Sequence, residues 1–141
     1  MLRYLAKRLP VLKDRQGTAA VEFGLVAPIL FIATLGTLDF GRMLWVASTI
    51  EHAATAGTRY AGVRGAESNS PATVSDIQAF VQNRAAGVDP NDLTINVTFT
   101  PNNSSGGSVT VQVGYQFSFL MVGFLSLGPV QLQGSSTVVI S

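Results

Sequence analysis

A chain of 141 residues with 47% hydrophobic and 12% charged side chains has room for one small domain once a membrane helix is set aside. It leans toward a membrane-linked or self-associating protein rather than a freely soluble one. It contains no cysteine, which excludes disulfides and thiolate metal sites. The net charge of +1 conceals an asymmetry: residues 1–17 carry Arg3, Lys7, Arg8, Lys13 and Arg15 against Asp14, whereas residues 18–141 carry four basic and seven acidic side chains. A mildly acidic remainder removes the main support for nucleic-acid binding.

The first element grows out of "KDRQGTAAVEFGLVAPILFIATLGTLDFGR", residues 13–42, where a charge cluster meets an apolar run that encloses the carboxylate of Glu22. A lone ionised group in a bilayer core costs about 2.5–3.5 kcal/mol on insertion scales, so Glu22 demands a reason. Sixteen uncharged residues separate Glu22 from Asp39, and residues 18–38 make 21 if Glu22 is tolerated, which is enough for one span. Basic charge sits entirely before this run, placing the N-terminus in the cytoplasm and the C-terminal domain across the membrane. No polar, turn-forming cleavage region follows Leu38, so the pattern predicts one helix from residue 18 to about 64, roughly 70 Å long at 1.5 Å per residue. Pro28 removes one backbone donor within it and predicts a kink or loosened turn.

Just past the apolar run, Asp39 and Arg42 stand three apart and face one another on a helix. Their expected place is the outer membrane–water boundary, where an exposed pair contributes only about 0–1 kcal/mol and matters for position. Further along, Ala53, Gly57, Ala61 and Gly65 recur every fourth residue, flanked by Ala54, Thr58 and Gly62. Such a stripe lets another backbone come close, either that of a second subunit's helix or that of this chain's own sheet. Gly65 is the expected C-terminal cap. The long-helix region is thus 18–65, after a basic leader of residues 1–17 and before a small α+β domain of residues 66–141.

That domain begins with "NSPATVSDIQAFVQNRAAG", read as a short helix. Ser70 is its expected N-cap, Pro71 its first residue, Val74, Ile77 and Val81 its stripe with Phe80 alongside, and Gly87 its end. From Asp92 the period becomes two. In "LTINVTFT" Leu93, Ile95, Val97 and Phe99 alternate with polar residues; after the loop "PNNSSGG", "SVTVQVGYQFSF" puts Val109, Val111, Val113, Tyr115, Phe117 and Phe119 on one face. The closing "VQLQGSSTVVIS" keeps this parity through Val130, Leu132, Val138 and Ile140. Three antiparallel strands with one apolar face need a cover, supplied by the second half of the long helix and the short one, which makes the fold class α+β. The intervening "LMVGFLSLGP" is too short to span a bilayer; it reads as a lid folded onto the core or as a patch for a neighbour or the membrane surface.

Two motifs are coincidences. "DFG" at Asp39–Gly41 lacks the glycine-rich loop, lysine and catalytic loop of a kinase, and "GFLSLG" continues with Pro129 and Val130 rather than the lysine and serine of a phosphate loop. His52, beside Glu51 and one or two turns from Arg59 and Tyr60, lacks a nucleophile or metal partner and reads as a helix-surface residue. No catalytic residue, metal or cofactor is expected. The competing enzyme reading, a small envelope hydrolase, rests only on the crowded Ser48, Thr49, Glu51 and His52.

A leader ending in "RQG", then "TAAVEF" with a glutamate as the fifth residue after the glycine, then an apolar helix, resembles the class III signal of type IV pilins and pseudopilins. With "LDFGRMLWV", "IEHAATAGTRYAG" and the closing "VTVQVGYQFSFLMVGFLSLGPVQLQGSSTVVI", the chain is similar to the TadE-like pseudopilins of the tight-adherence (Flp) pilus system. The resemblance implies a pilin-like fold with Gly17 as the last leader residue, Thr18 as the new N-terminus and Glu22 as the acid used in processing or assembly. It implies an aspartic-type prepilin peptidase, other pilins or pseudopilins and the assembly platform as partners, and an inner-membrane, single-pass location extending to the surface pilus. The chain would be a substrate and no enzyme. Phe23 where the major Flp pilins have tyrosine, and a length far beyond theirs, point to a minor pilin or pseudopilin. Cleavage would free an amine at Thr18, one helical turn from Glu22, able to offset the acid within or between subunits. The alternative is an unprocessed, signal-anchored envelope binding domain.

Overall fold

The computed structural model describes residues 15–121 and 128–141, and two compact units divide the chain, one up to Thr34 and one from Leu35 to Ser141. A single helix, α1 (Arg15–Gly62), contributes to both, with Pro28 inside it. In the first unit Val21, Phe23, Leu25, Val26, Ile29 and Leu30 are all exposed. Successive apolar residues that point in every direction suit a lipid surround rather than a one-sided core. Gly17–Gly62 is a helix long and apolar enough to cross a membrane.

The second unit is an α+β domain. After α1 come a short helix α2 (Val74–Arg84), a 3-10 turn (Pro90–Asp92) and three strands, β1 (Leu93–Thr100), β2 (Ser108–Phe117) and β3 (Val130–Val139), antiparallel in the order β1-β2-β3. The register aligns Val97 with Val111 and Val111 with Ser136, and Ile95 with Val113 and Val113 with Gly134. One face is therefore aliphatic while Thr94, Asn96, Gln112, Gln131 and Gln133 line a shallow polar depression on the other. The period of two survives because a pleated strand sends alternate side chains to opposite faces. Val109, Val111 and Val113 of the central strand are fully buried with Ile50, Ala53 and Ala54 of α1 and Ile77 and Val81 of α2. Gln78 of α2 reaches across to donate to the Ile95 carbonyl of β1 at 3.0 Å.

Three local expectations shift. The N-cap of α2 is Thr73, not Ser70: its hydroxyl accepts from the Asp76 amide at 3.2 Å while Asp76 accepts from the Thr73 amide at 3.0 Å. A reciprocal box satisfies two otherwise orphan donors, which Ser70 could not match with Pro71 after it and no acid at the third position. Val74, expected in the apolar stripe, is exposed as the first helical residue. The long helix ends at Gly62, not at Gly65, and its end is tied by Val63 and Arg64 amides donating to the Arg59 and Ala61 carbonyls. Gly65 instead gives room to Ile140, whose Cγ2 lies 2.5 Å from where a Cβ would be. The chain terminus is fastened nearby, with the Ser141 amide donating to the Gly62 carbonyl at 3.2 Å.

Candidate assembly site along the long helix

The residues singled out from sequence fall into three places on α1. In the first unit, Gly17, Thr18 and Glu22 are exposed residues of the helix. Four residues separate Thr18 from Glu22, so the two occupy one helical face a turn apart. Among the described residues Glu22 makes no hydrogen bond or ion pair. Leader residues 1–14 lie outside the described residues.

Asp39 and Arg42 form the second place, and it differs from an exposed surface pair. Arg42 Nη1 donates to Asp39 Oδ1 at 3.1 Å, yet the Asp39 side chain is 4% exposed against 49% for Arg42. The carboxylate also accepts from the Leu120 amide at 3.0 Å and the Met121 amide at 3.2 Å. Two backbone donors and a guanidinium satisfy its oxygens, which is what a buried carboxylate requires. Arg42 in turn lies over the Phe117 ring, 5.3 Å from its centroid, fixing the guanidinium by cation–π attraction. Asp39 is thus a clamp between α1 and the backbone that follows β2. Sequence spacing found the arginine and missed the amides, whose partners stand 81 and 82 residues away. Most of the apolar stretch "LMVGFLSLGP", residues 122–127, lies outside the described residues.

The third place is the small-residue row. Ala53 and Ala61 are buried, and a Cβ on Gly57 would sit 2.4 Å from Val81 Cγ2 and 3.5 Å from Val111 Cγ1. On the flanking row, Thr58 shares a 3.0 Å hydrogen bond with Ser136, and Gly62 meets Val138. The chain's own sheet and α2 therefore occupy the row. Opposite it, Gly134 of β3 supplies the matching gap: a Cβ there would be 2.9 Å from both the nitrogen and Cα of Glu51. That glycine carried no sequence signal beyond breaking the apolar parity of its strand.

No hydrogen bond joins the side chains of Ser48, Thr49, Glu51 and His52 among the described residues; the Thr49 hydroxyl donates to the Trp45 carbonyl at 2.8 Å. Among the described residues no three His, Asp or Glu side chains are grouped to hold a metal ion.

Residues 17–59 match the family model described as TadE-like protein. The match falls on the segment of α1 that carries the motifs from Gly17 to Arg59. No curated protein and no solved structure matches the chain.

Proposed function

We propose that the chain is a minor pilin or pseudopilin that takes part in building a tight-adherence pilus. The observation that carries this reading is the TadE-like match, which starts at Gly17 and runs along the lipid-compatible part of α1. In this reading residues 1–17 are a leader that a prepilin peptidase removes between Gly17 and Thr18. The mature chain waits in the inner membrane, held by α1, with the α+β domain outside the cytoplasm. Glu22 is then offset by the Thr18 amine of its own or a neighbouring subunit, which sets the register between helices.

Assembly needs a surface that can exchange lipid for protein. The Ala53, Gly57 and Ala61 row is taken up by α2 and β2, so contacts between subunits fall to the exposed apolar residues around Phe23, Leu30 and Phe31. Packing there replaces lipid contacts by helix contacts of similar apolar character, so extraction turns on shape and polar pairing more than on dehydration. Mass spectrometry of the N-terminus, from membranes and sheared surface filaments of cells with and without the prepilin peptidase, tests the reading. A mature chain beginning at Thr18 only when the peptidase is present supports it. Full-length chain in both strains, absent from filaments, favours the signal-anchored alternative.

A further inference from the structure

Beyond residue 17 the sequence has four basic side chains, Arg42, Arg59, Arg64 and Arg84, and the last three lie in or beside one groove. Arg59 and Arg84 line an open groove between α1 and α2 together with His52, Thr55, Ala56, Tyr60, Val63 and Phe80. At its centre Tyr60 and Phe80 are stacked, with ring centroids 4.3 Å apart and planes 14° from parallel. Arg64 lies over Tyr60 at 4.5 Å and Arg84 over Phe80 at 5.1 Å from the ring centroids. Since each ring already gives one face to the other, the two guanidinium groups must take the outer faces. The result is a four-layer stack, Arg64–Tyr60–Phe80–Arg84, with Arg64 also donating to the Tyr60 hydroxyl at 3.0 Å.

The charge of this stack is not answered from within. Among the described residues Asp39–Arg42 is the ion pair within 4.0 Å, and no carboxylate comes that close to Arg59, Arg64 or Arg84. Asp76 attracts Arg64 from farther away, its oxygens being engaged by Thr73. Arg59 and Arg84 on one groove, with Arg64 at the far end of the stack, give a domain that is otherwise acidic a surface complementary to anions.

The stack also says which anion. Carbohydrates and nucleobases are gripped through open aromatic faces, and here both faces of both rings are covered. What remains outward are guanidinium N–H edges, the geometry that receives carboxylates in bidentate fashion. Ala56 and Val63 add apolar floor beside them. Lipid headgroups are out of reach if Asp39 marks the membrane boundary, because Arg59 is twenty residues, about 30 Å, farther along the helix. We propose that the groove between α1 and α2 docks an acidic peptide segment of a partner subunit, its carboxylates received by Arg59 and Arg84 and its aliphatic carbons by Ala56 and Val63. The inference builds on the reading of a subunit that meets other subunits, but it is measured on the purified chain and stands or falls independently of leader cleavage.

The test is fluorescence anisotropy of a labelled oligoglutamate peptide against the full chain in detergent micelles. Wild type is compared with Arg59→Gln/Arg84→Gln and Arg59→Lys/Arg84→Lys; the basic leader is common to all three, so its contribution cancels. Retained far-UV circular dichroism and thermal midpoint establish that these exposed substitutions leave the fold intact. Saturable binding, weakened at least tenfold in the glutamine variant and less in the lysine variant, supports the proposal. Absence of saturable binding, equal binding by wild type and the glutamine variant, or undiminished binding by the lysine variant overturns it. Displacement of the label by polygalacturonate or short-chain phosphatidylglycerol in preference to unlabelled oligoglutamate likewise overturns it, in favour of an acidic glycan or a lipid.

Discussion

Replacing Asp39 with alanine would strip the Leu120 and Met121 amides of their acceptor and leave Met121, which is buried, with a donor it cannot hydrate. An unsatisfied buried donor costs about 1–3 kcal/mol, and loss of that order in thermal unfolding, with new protease cleavage near residues 118–121, is the expected result. Glycines divide by what they face. A methyl on Gly134 would press on the Glu51 backbone at 2.9 Å, whereas one on Gly36 meets nothing within 4 Å. Gly134→Ala should therefore destabilise by about 1–3 kcal/mol, since overpacking against a main chain cannot be relieved by a rotamer change. Gly36→Ala, in the helix interior with open space around it, should be neutral or stabilise by up to about 1 kcal/mol. Equal unfolding midpoints for the two variants would contradict the packing described.

At the scale of elements, α2 depends on its cap. The Thr73 hydroxyl and amide hold the Asp76 carboxyl below its ordinary value of 3.8. A carboxyl depressed by folding stabilises the native state above its unfolded pKa and loses that contribution as pH falls through the folded value. Stability should accordingly drop on acidification below about pH 4, and Asp76→Asn should flatten that part of the curve. Thr73→Ala should cost about 1 kcal/mol at neutral pH. Circular dichroism melts across pH check both. This element also marks what could be read from sequence. The spacing T-x-x-D begins at Thr73, three residues after Ser70-Pro71, and the reciprocal bonds are what decide between the two. The strands were legible to within two residues of their ends, β2 stopping at Phe117 and β3 at Val139, because period two and a buried face are local properties of each segment. The small-residue row was legible as a close approach, while its partner was not: Val81, Val111 and Val138 are brought to it by topology. Asp39 illustrates the same limit, since its amide partners carry no side-chain signature. The arginine stack has no sequence signature for a related reason, being assembled from α2, the last turns of α1 and the bend that follows it.

For the whole molecule, the proposed role in assembly turns on Glu22, exposed on an apolar helix without a partner among the described residues. If a processed amine offsets it during assembly, Glu22→Gln should leave cleavage intact and lower the share of the chain recovered in sheared filaments severalfold. Unchanged recovery by quantitative immunoblot would separate Glu22 from assembly. The Asp39 clamp has a bearing on such a fibre as well. Traction applied along α1 would reach the connection after β2 through a carboxylate gripping two peptide nitrogens. Load would thus be shared by polar bonds and greasy contacts, and the sheet would be hauled along with its rod rather than peeled from it.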